Sequence, residues 1–310
     1  MSSINKTIFN LPAGKAKPAT RKDIAVYSDF DGTIFMQDTG HILFDRHGCG
    51  RENRERLDGM IASGERGFRE VSEEMWGSLN IPFEKGMQVM KDNLVIDPDF
   101  EEFHDFCIRE GVAFNVISAG LKPVLRGILN EFIGKDASKR IDIISNDAEI
   151  VPTEDGHEWK VKWRHDNRLG HDKSISIKEC RQQLRKHLPG KKQPLIVFVG
   201  DGVSDLPAAR EADVLFARRG LALEKYCVEH GLSYIAYDSF ADIERELSRI
   251  LDSGDLDSFK KPENRAAEVT APAPVYHQPY SKSKTGYPAP APRMAPIRVS
   301  SKNVNVTTVN

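Results

Sequence analysis

Short apolar runs alternate with helical patterns along most of this chain, and the polar residues that could do chemistry stand where those runs end. Three runs, Ile24-Ala25-Val26-Tyr27-Ser28, Val112-Ala113-Phe114-Asn115-Val116-Ile117 and Leu195-Ile196-Val197-Phe198-Val199, read as strands buried on both faces. Strands of that kind, alternating with helices, predict an α/β fold: a parallel sheet with helices on both faces. In an open sheet of this type, ligands bind beyond the carboxyl ends of the strands. The runs are followed by Asp29-Phe30-Asp31-Gly32-Thr33, by Ser118-Ala119-Gly120 and by Gly200-Asp201-Gly202-Val203-Ser204-Asp205. A fourth segment, Gly170-His171-Asp172-Lys173, opens a helical pattern. Groups far apart in sequence are therefore expected to converge.

The full pattern predicts strands at 24–28, 112–117, 141–145, 195–199, 213–217 and 233–237. Helices are expected at 98–110, 123–133, 173–188, 205–211, 221–230 and 239–252, and a hairpin over 148–163 turns at Glu154-Asp155-Gly156. Residues 36–93 differ: they are rich in polar residues with helical spacing, and read as a small helical cap inserted after the first strand. Within it Phe68, Val71, Met75 and Leu79 recur at helical spacing and are expected in the core. The catalytic core would comprise 23–35 and 94–252. Residues 1–22 read as a disordered N-terminal extension, and 253–310, rich in Pro and Ala, as a disordered basic tail.

The net charge of −2 hides an uneven distribution. Residues 1–22 carry five basic and no acidic side chains, and residues 261–310 seven and two; 23–260 hold 32 basic against 44 acidic ones. An acidic core argues against a nucleic-acid groove and suits a domain that holds a divalent cation. No apolar run reaches the roughly 20 residues of a membrane span. The cysteines, Cys49, Cys107, Cys180 and Cys227, are scattered without a CxxC pair, so free thiols in a reducing compartment are expected. The expected location is cytoplasmic, with the nucleus an alternative. The expected partner is a small molecule, with no nucleic acid and no membrane, and any partner of the tail is unknown.

Asp29 and Asp31 lie two apart at a strand end, and Gly32 permits a sharp turn after them. Adjacent carboxylates repel and need a cation or a shared proton. Mg²⁺ meets that need through oxygen ligands, and Asp201 and Asp205 bring further carboxylates from another strand end. A carboxylate can act as nucleophile to form an aspartyl-phosphate. Its neighbour can protonate the leaving alkoxide and later deprotonate water. Ser118 and the amides near Ala119 could hold phosphate oxygens at the start of the next helix, with Lys173 as a point charge. Each segment alone is commonly a turn, a helix cap or a solvated lysine; their joint order and placement carry the reading. His157, His165 and His171 flank the hairpin and are expected at the surface rather than on a metal. His41 and His47 are expected as packing or surface residues, or lining a substrate pocket.

In combination these motifs resemble the four motifs of the haloacid dehalogenase superfamily over about residues 23–252. The resemblance implies a Rossmann-like core and Mg²⁺. It casts Asp29 as nucleophile and Asp31 as general acid/base. Asp29, the carbonyl of Asp31 and Asp201 would bind the metal; Thr33, Gly202 and Asp205 would support the site, and Ser118, Ala119 and Lys173 would bind phosphate. About 84 residues separate Thr33 from Ser118 and about 54 separate Ser118 from Lys173, so the cap sits in the first position. That placement resembles the phosphoserine-phosphatase-like branch. Ser118-Ala119-Gly120-Leu121-Lys122-Pro123 and Gly170-His171-Asp172-Lys173-Ser174 look like the fungal polyol phosphatases within it.

True phosphoserine phosphatases have a glutamate where Asp38 stands, and a cap arginine near the position of Met75, with Arg69 close by. Those three residues are the candidates for substrate specificity. The departure implies a small, charge-poor leaving group such as a polyol. Phosphoserine, or the diketo-methylthiopentane phosphates of methionine salvage, are alternatives. An alternative of another class is an interaction or scaffold protein acting through its tail.

Overall fold

The computed structural model describes residues 24–187 and 193–261; the extension 1–22 and nearly all of the tail lie outside the described residues. The chain opens with β1 (Ile24–Ser28), followed by four helices, α1 (Thr39–His47), α2 (Arg51–Ser63), α3 (Phe68–Gly77) and α4 (Phe83–Lys91). Then come α5 (Phe100–Glu110), β2 (Ala113–Leu121), α6 (Lys122–Phe132), the single turn α7 (Lys135–Ser138), β3 (Asp142–Thr153) and β4 (Gly156–Lys162). The remainder runs α8 (Lys173–His187), β5 (Leu195–Gly200), α9 (Leu206–Glu211), β6 (Val214–Arg218), α10 (Ala222–His230), β7 (Ile235–Tyr237) and α11 (Phe240–Ser253).

The seven strands form a sheet in the order β4-β3-β2-β1-β5-β6-β7. All pairs are parallel except β3 with β4. Every residue of β1 and of β5 is buried, as continuous apolar strands in the centre of a parallel sheet must be. Alternate residues serve opposite layers. Ile24, Val26, Val197 and Val199 join a core with Phe103 of α5 and Leu247 of α11, while Ala25, Tyr27, Ile196 and Phe198 pack with Ile177 of α8, Ala208 of α9 and Cys227 of α10. The chain proceeds from β1 outward through β2 and β3, then returns to the other side of β1 with β5. That reversal is a topological switch point, where a crevice opens beyond the strand ends.

Three elements differ from the sequence expectation. The strand expected at 141–145 and the first arm of the hairpin are one strand, β3, whose first half pairs with β2 and whose second half pairs with β4. The outer hairpin packs on the inserted helices: the Trp159 ring lies 6.0 Å from Trp76, and its Nε1 donates to the Ile81 carbonyl at 2.9 Å. At the hairpin tip Gly156 has φ of +145°, and a Cβ there would fall 1.8 Å from Oδ1 of Asn80. Asn80 donates to the Asp155 carbonyl and accepts from the His157 amide. The strand expected to stop at 117 continues to Leu121 through an irregularity in which Ile117 and Leu121 pair with Ile144 and Asn146. Two extra residues of β2 are thereby pushed out of register. The helix expected at 205–211 begins as a 3₁₀ turn, Val203–Asp205, because Asp205 bonds back to the amides before it.

His104 of α5 is 3% exposed and stacks on Phe100, and burial lowers its pKa from 6.5 to about 4. The folded pKa is depressed, so the neutral ring's stabilising contribution is present above about pH 6.5 and is lost as pH falls towards about 4. Between about pH 7.5 and about pH 5.5 the wild-type chain should lose about 1.4 kcal/mol more stability than a His104→Phe variant. Urea unfolding at the two pH values measures this; equal losses would contradict it.

Candidate active site

The carboxyl ends of β1, β2 and β5 deliver the site. The backbone amide of Asp29 donates to the Val199 carbonyl at 2.9 Å, which locks the end of β1 to β5. Asp29 is 6% exposed. Its Oδ1 accepts from the Phe30 amide at 2.7 Å and lies 2.8 Å from Nζ of Lys173. That ammonium also lies 2.7 Å from Oδ1 of Asp205. Lys173 is the first residue of α8, buried to 3% exposure between two carboxylates. Burial alone would lower its pKa, but Asp205 and Asp29 outweigh that and hold it above the ordinary lysine range.

Asp205 is fully buried and spends both oxygens on structure: Oδ1 on Lys173, and Oδ2 on the amides of Asp201 and Gly202, each at 3.0 Å. It thereby shapes the turn that presents Asp201. Asp201 accepts from Oγ1 of Thr33 at 2.9 Å. Gly32 allows the approach: it has φ of +76°, and a Cβ would lie 2.3 Å from Oδ2 of Asp201. No other residue avoids both the strained backbone and the collision.

Asp29, Asp201 and Asp205 bring one carboxylate oxygen each to within 4.8 Å of one another. Burial, then Asp205, pushes the Asp201 pKa up to about 7. Burial, then Asp205, also raises Asp29 against the opposing pull of Lys173. Three clustered carboxylates, those of Asp29 and Asp205 buried and that of Asp201 half-buried, stand beside one ammonium and leave an excess of negative charge; oxygen ligands of this type fit a small divalent cation.

Asp31 lies two residues along the turn. The Thr39 amide donates to its Oδ1 at 2.9 Å, and Oγ1 of Thr39 bonds Oδ2 at 3.2 Å. The inserted helices thus reach the second aspartate through the first residue of α1. Burial, then the nearby Asp38, raises the Asp31 pKa well above the usual carboxylate range. Asp38 itself caps α1, accepting from the His41 amide at 2.8 Å.

Ser118 is 2% exposed, and its Oγ accepts from the Gly120 amide at 3.0 Å. Ser118 and Ala119 occupy the out-of-register stretch of β2. The Ala119 carbonyl accepts from Nδ2 of Asn146 at 2.7 Å, and the Ser118 carbonyl lies 2.6 Å from Nδ1 of His171.

The structure therefore gathers Asp29, Thr33, Lys173, Asp201, Gly202 and Asp205 in one bonded group, with Asp31 adjoining through the same turn. Two of the specificity candidates make contacts of their own. Met75 is 4% exposed within the core formed with Trp76 and Leu79. Arg69 pairs with Asp166 at 2.7 Å and stands over the Trp163 ring. His171, expected at the surface, is 4% exposed and packed behind Ser118. Thr39 and Asn146 were not singled out by sequence. A polar residue directly after the cap-entry Asp38 was the available signal for Thr39; Asn146, at the outer edge of the expected third strand, offered none.

A model of the haloacid dehalogenase-like hydrolases matches residues 26–210, and the chain belongs to that family. It is a phosphatase of the family. Among curated relatives, "Pdp3-interacting factor 1" of Schizosaccharomyces pombe is 37% identical over 75% of this chain and 98% of its own length. "Polyol phosphate phosphatase PYP1" of Saccharomyces cerevisiae is 33% identical over 73% of this chain and 93% of its own. A 2-hydroxy-3-keto-5-methylthiopentenyl-1-phosphate phosphatase of Bacillus mycoides is 28% identical over 74% and 98%. A substrate-bound phosphoserine phosphatase structure shares the fold with TM-score 0.52 at 18% identity, covering 75% of this chain and 98% of that one. A phosphoserine phosphatase from T. onnurineus does so at TM-score 0.51 and 19% identity, covering 75% and 97%.

Proposed function

We propose that the chain is a cytoplasmic, Mg²⁺-dependent phosphomonoesterase that acts through an aspartyl-phosphate on small phosphorylated metabolites, with polyol phosphates the favoured substrates. The observation that carries this reading is the bonded pair of Asp29 and Lys173, with Asp31 held beside it at both oxygens by Thr39. Asp29 and Asp201, with the Asp31 carbonyl, would hold the ion, and Asp205 would brace Lys173 and the Asp201 turn. When bound, Mg²⁺ would offset the carboxylate charge and supply positive charge to the phosphate oxygens.

Lys173 opposes the burial that raises the Asp29 pKa, and so favours the ionised carboxylate that attack requires. The free oxygen of Asp29 attacks phosphorus as the ester P–O bond breaks, and the electron pair leaves on the alkoxide. Asp31, whose raised pKa favours the protonated form, gives that alkoxide its proton. The resulting carboxylate then takes a proton from water. The hydroxide oxygen bonds phosphorus, the Asp29–phosphorus bond breaks, and inorganic phosphate is released. Ser118 and the Ala119 amide hold the transferring group. Helices α1–α4, joined to the outer β3–β4 hairpin, act as the cap, since Thr39 ties α1 to the acid/base residue.

Asp38 bears on substrate choice. It stands close enough to Asp31 to raise its pKa, so the leaving-group side of the site is already negative. Hydroxyls of a polyol could donate to Asp38, whereas Met75, near the position of the cap arginine of phosphoserine phosphatases, offers no charge to pair with a serine carboxylate. This favours polyol phosphates over phosphoserine, and the polyol phosphatase relative points the same way. A panel assay tests it: sorbitol or ribitol phosphate should exceed phosphoserine and diketo-methylthiopentyl phosphates in kcat/KM by about tenfold, the effect of about 1.4 kcal/mol of differential binding. EDTA should abolish all turnover. A reversed ranking overturns the substrate assignment, and activity undiminished by EDTA overturns the metal.

A further inference from the structure

His171 has a hydrogen-bond environment that admits a single tautomer. Its Nδ1 lies 2.6 Å from the Ser118 carbonyl, which can only accept, so Nδ1 carries the proton. Its Nε2 lies 2.9 Å from Oγ of Ser176, and in the neutral ring that nitrogen accepts the serine proton. Ser176 is fully buried, and its oxygen in turn accepts from Nε of Arg164 at 3.0 Å. The guanidinium is anchored through Nη2 to Glu179 at 2.9 Å. Every bond runs one way, from Arg164 through Ser176 and His171 to the Ser118 carbonyl. Burial, opposed by the bond to Ser118 but aided by the nearby Lys173 and Arg164 charges, holds the ring neutral, with a pKa lowered to about 3.

The end of this chain of bonds is the peptide between Ser118 and Ala119. In a trans peptide the N–H and C=O point to opposite sides. A carbonyl pulled towards His171 therefore turns the Ala119 N–H the other way. Asn146 holds the next carbonyl, that of Ala119, and its Oδ1 accepts from the Arg164 amide at 3.0 Å. Ser118 and Ala119 sit in the irregular stretch of β2, where regular pairing with β3 is interrupted. Side chains take over the task of fixing the two peptide planes.

We propose that His171 is a positioning residue: through its Nδ1–H bond to the Ser118 carbonyl, with Ser176 and Arg164 selecting its tautomer, it fixes the 118–119 peptide that binds the phosphate group. The inference rests on the reading of Ser118 and Ala119 as the phosphate-binding segment. It gives the histidine between Gly170 and Lys173 a role separate from metal binding and from proton transfer to substrate.

The probe is inorganic phosphate as competitive inhibitor, alongside KM and kcat. His171→Leu should weaken phosphate inhibition and raise KM by about tenfold, the cost of one lost positioning bond at a site sensitive to small displacements. His171→Asn, whose side-chain amide can replace Nδ1–H, should recover most of that loss, whereas His171→Gln, which mimics Nε2, should not. Ser176→Ala, with its folding checked by thermal melting, should shift phosphate inhibition in the same direction by a smaller factor. Ser118→Ala reports on the underlying reading. If it weakens phosphate inhibition while His171→Leu and Ser176→Ala do not, the positioning role is overturned and the phosphate segment stands. If Ser118→Ala and the His171 variants all leave inhibition unchanged, the phosphate-binding assignment falls as well. Equal behaviour of His171→Asn and His171→Gln would contradict the tautomer assignment.

Discussion

Asp29→Asn is expected to lower kcat by about 10⁴-fold or more, the scale seen when the nucleophile of a concerted catalytic group is removed. Asparagine fills the same volume and can still accept from the Phe30 amide and from Lys173. It cannot form the acyl phosphate. The fold should therefore persist, and thermal melting in EDTA should show no loss of stability, because one of three crowded carboxylates has been neutralised. Activity loss together with unfolding would leave the result uninformative about chemistry, so the melt belongs with the assay. Residual turnover within about tenfold of wild type, in a folded variant, would contradict the role given to Asp29.

Lys173→Met should be costly in two separable ways. Removing the ammonium that faces Asp29 and Asp205 takes away a charge placed against the transferring phosphoryl group, and kcat should fall by about 10² to 10³-fold. Stability measured in EDTA should fall by about 3–5 kcal/mol, the usual consequence of stripping one partner from a buried ionic cluster. The pH dependence has a definite sign. Asp201 titrates near 7 in the fold against an ordinary value of 3.8, so between those values the folded state binds more protons than the unfolded one and stability falls as pH rises. Lysine removal sharpens that trend, because it raises Asp29 further. The deficit of the variant relative to wild type should therefore be smaller at about pH 5.5 than at about pH 8, as urea unfolding would read. A deficit that grows on acidification would contradict the electrostatic account of the cluster.

The central strands and the segments at their ends were legible because a buried parallel strand announces itself as an unbroken apolar run, and β1 and β5 are of this kind. The amphipathic helices on either side followed from their period, and the placement of Asp29, Lys173 and Asp201 in one group followed from the rule that strand ends converge. What escaped were features set by contacts across long sequence distances. The continuity of β3 depends on pairing with two different strands on its two halves. The hairpin's packing on the inserted helices depends on Trp159 meeting Trp76 and the Ile81 carbonyl. Met75 has the helical spacing of a core residue and is one. His171 was read as a surface residue because histidines near a hairpin usually are. Its burial arises from Ser118 and Ser176, polar partners whose approach no local pattern encodes.

The most direct measurement is to quench the enzyme in acid during turnover of a phosphate ester with Mg²⁺ present, and to map the phosphoryl group by peptide mass analysis. The account predicts a labile phosphoryl group on the peptide containing Asp29, absent from the Asp29→Asn protein. A phosphoryl group on any other residue of the wild-type enzyme would contradict it.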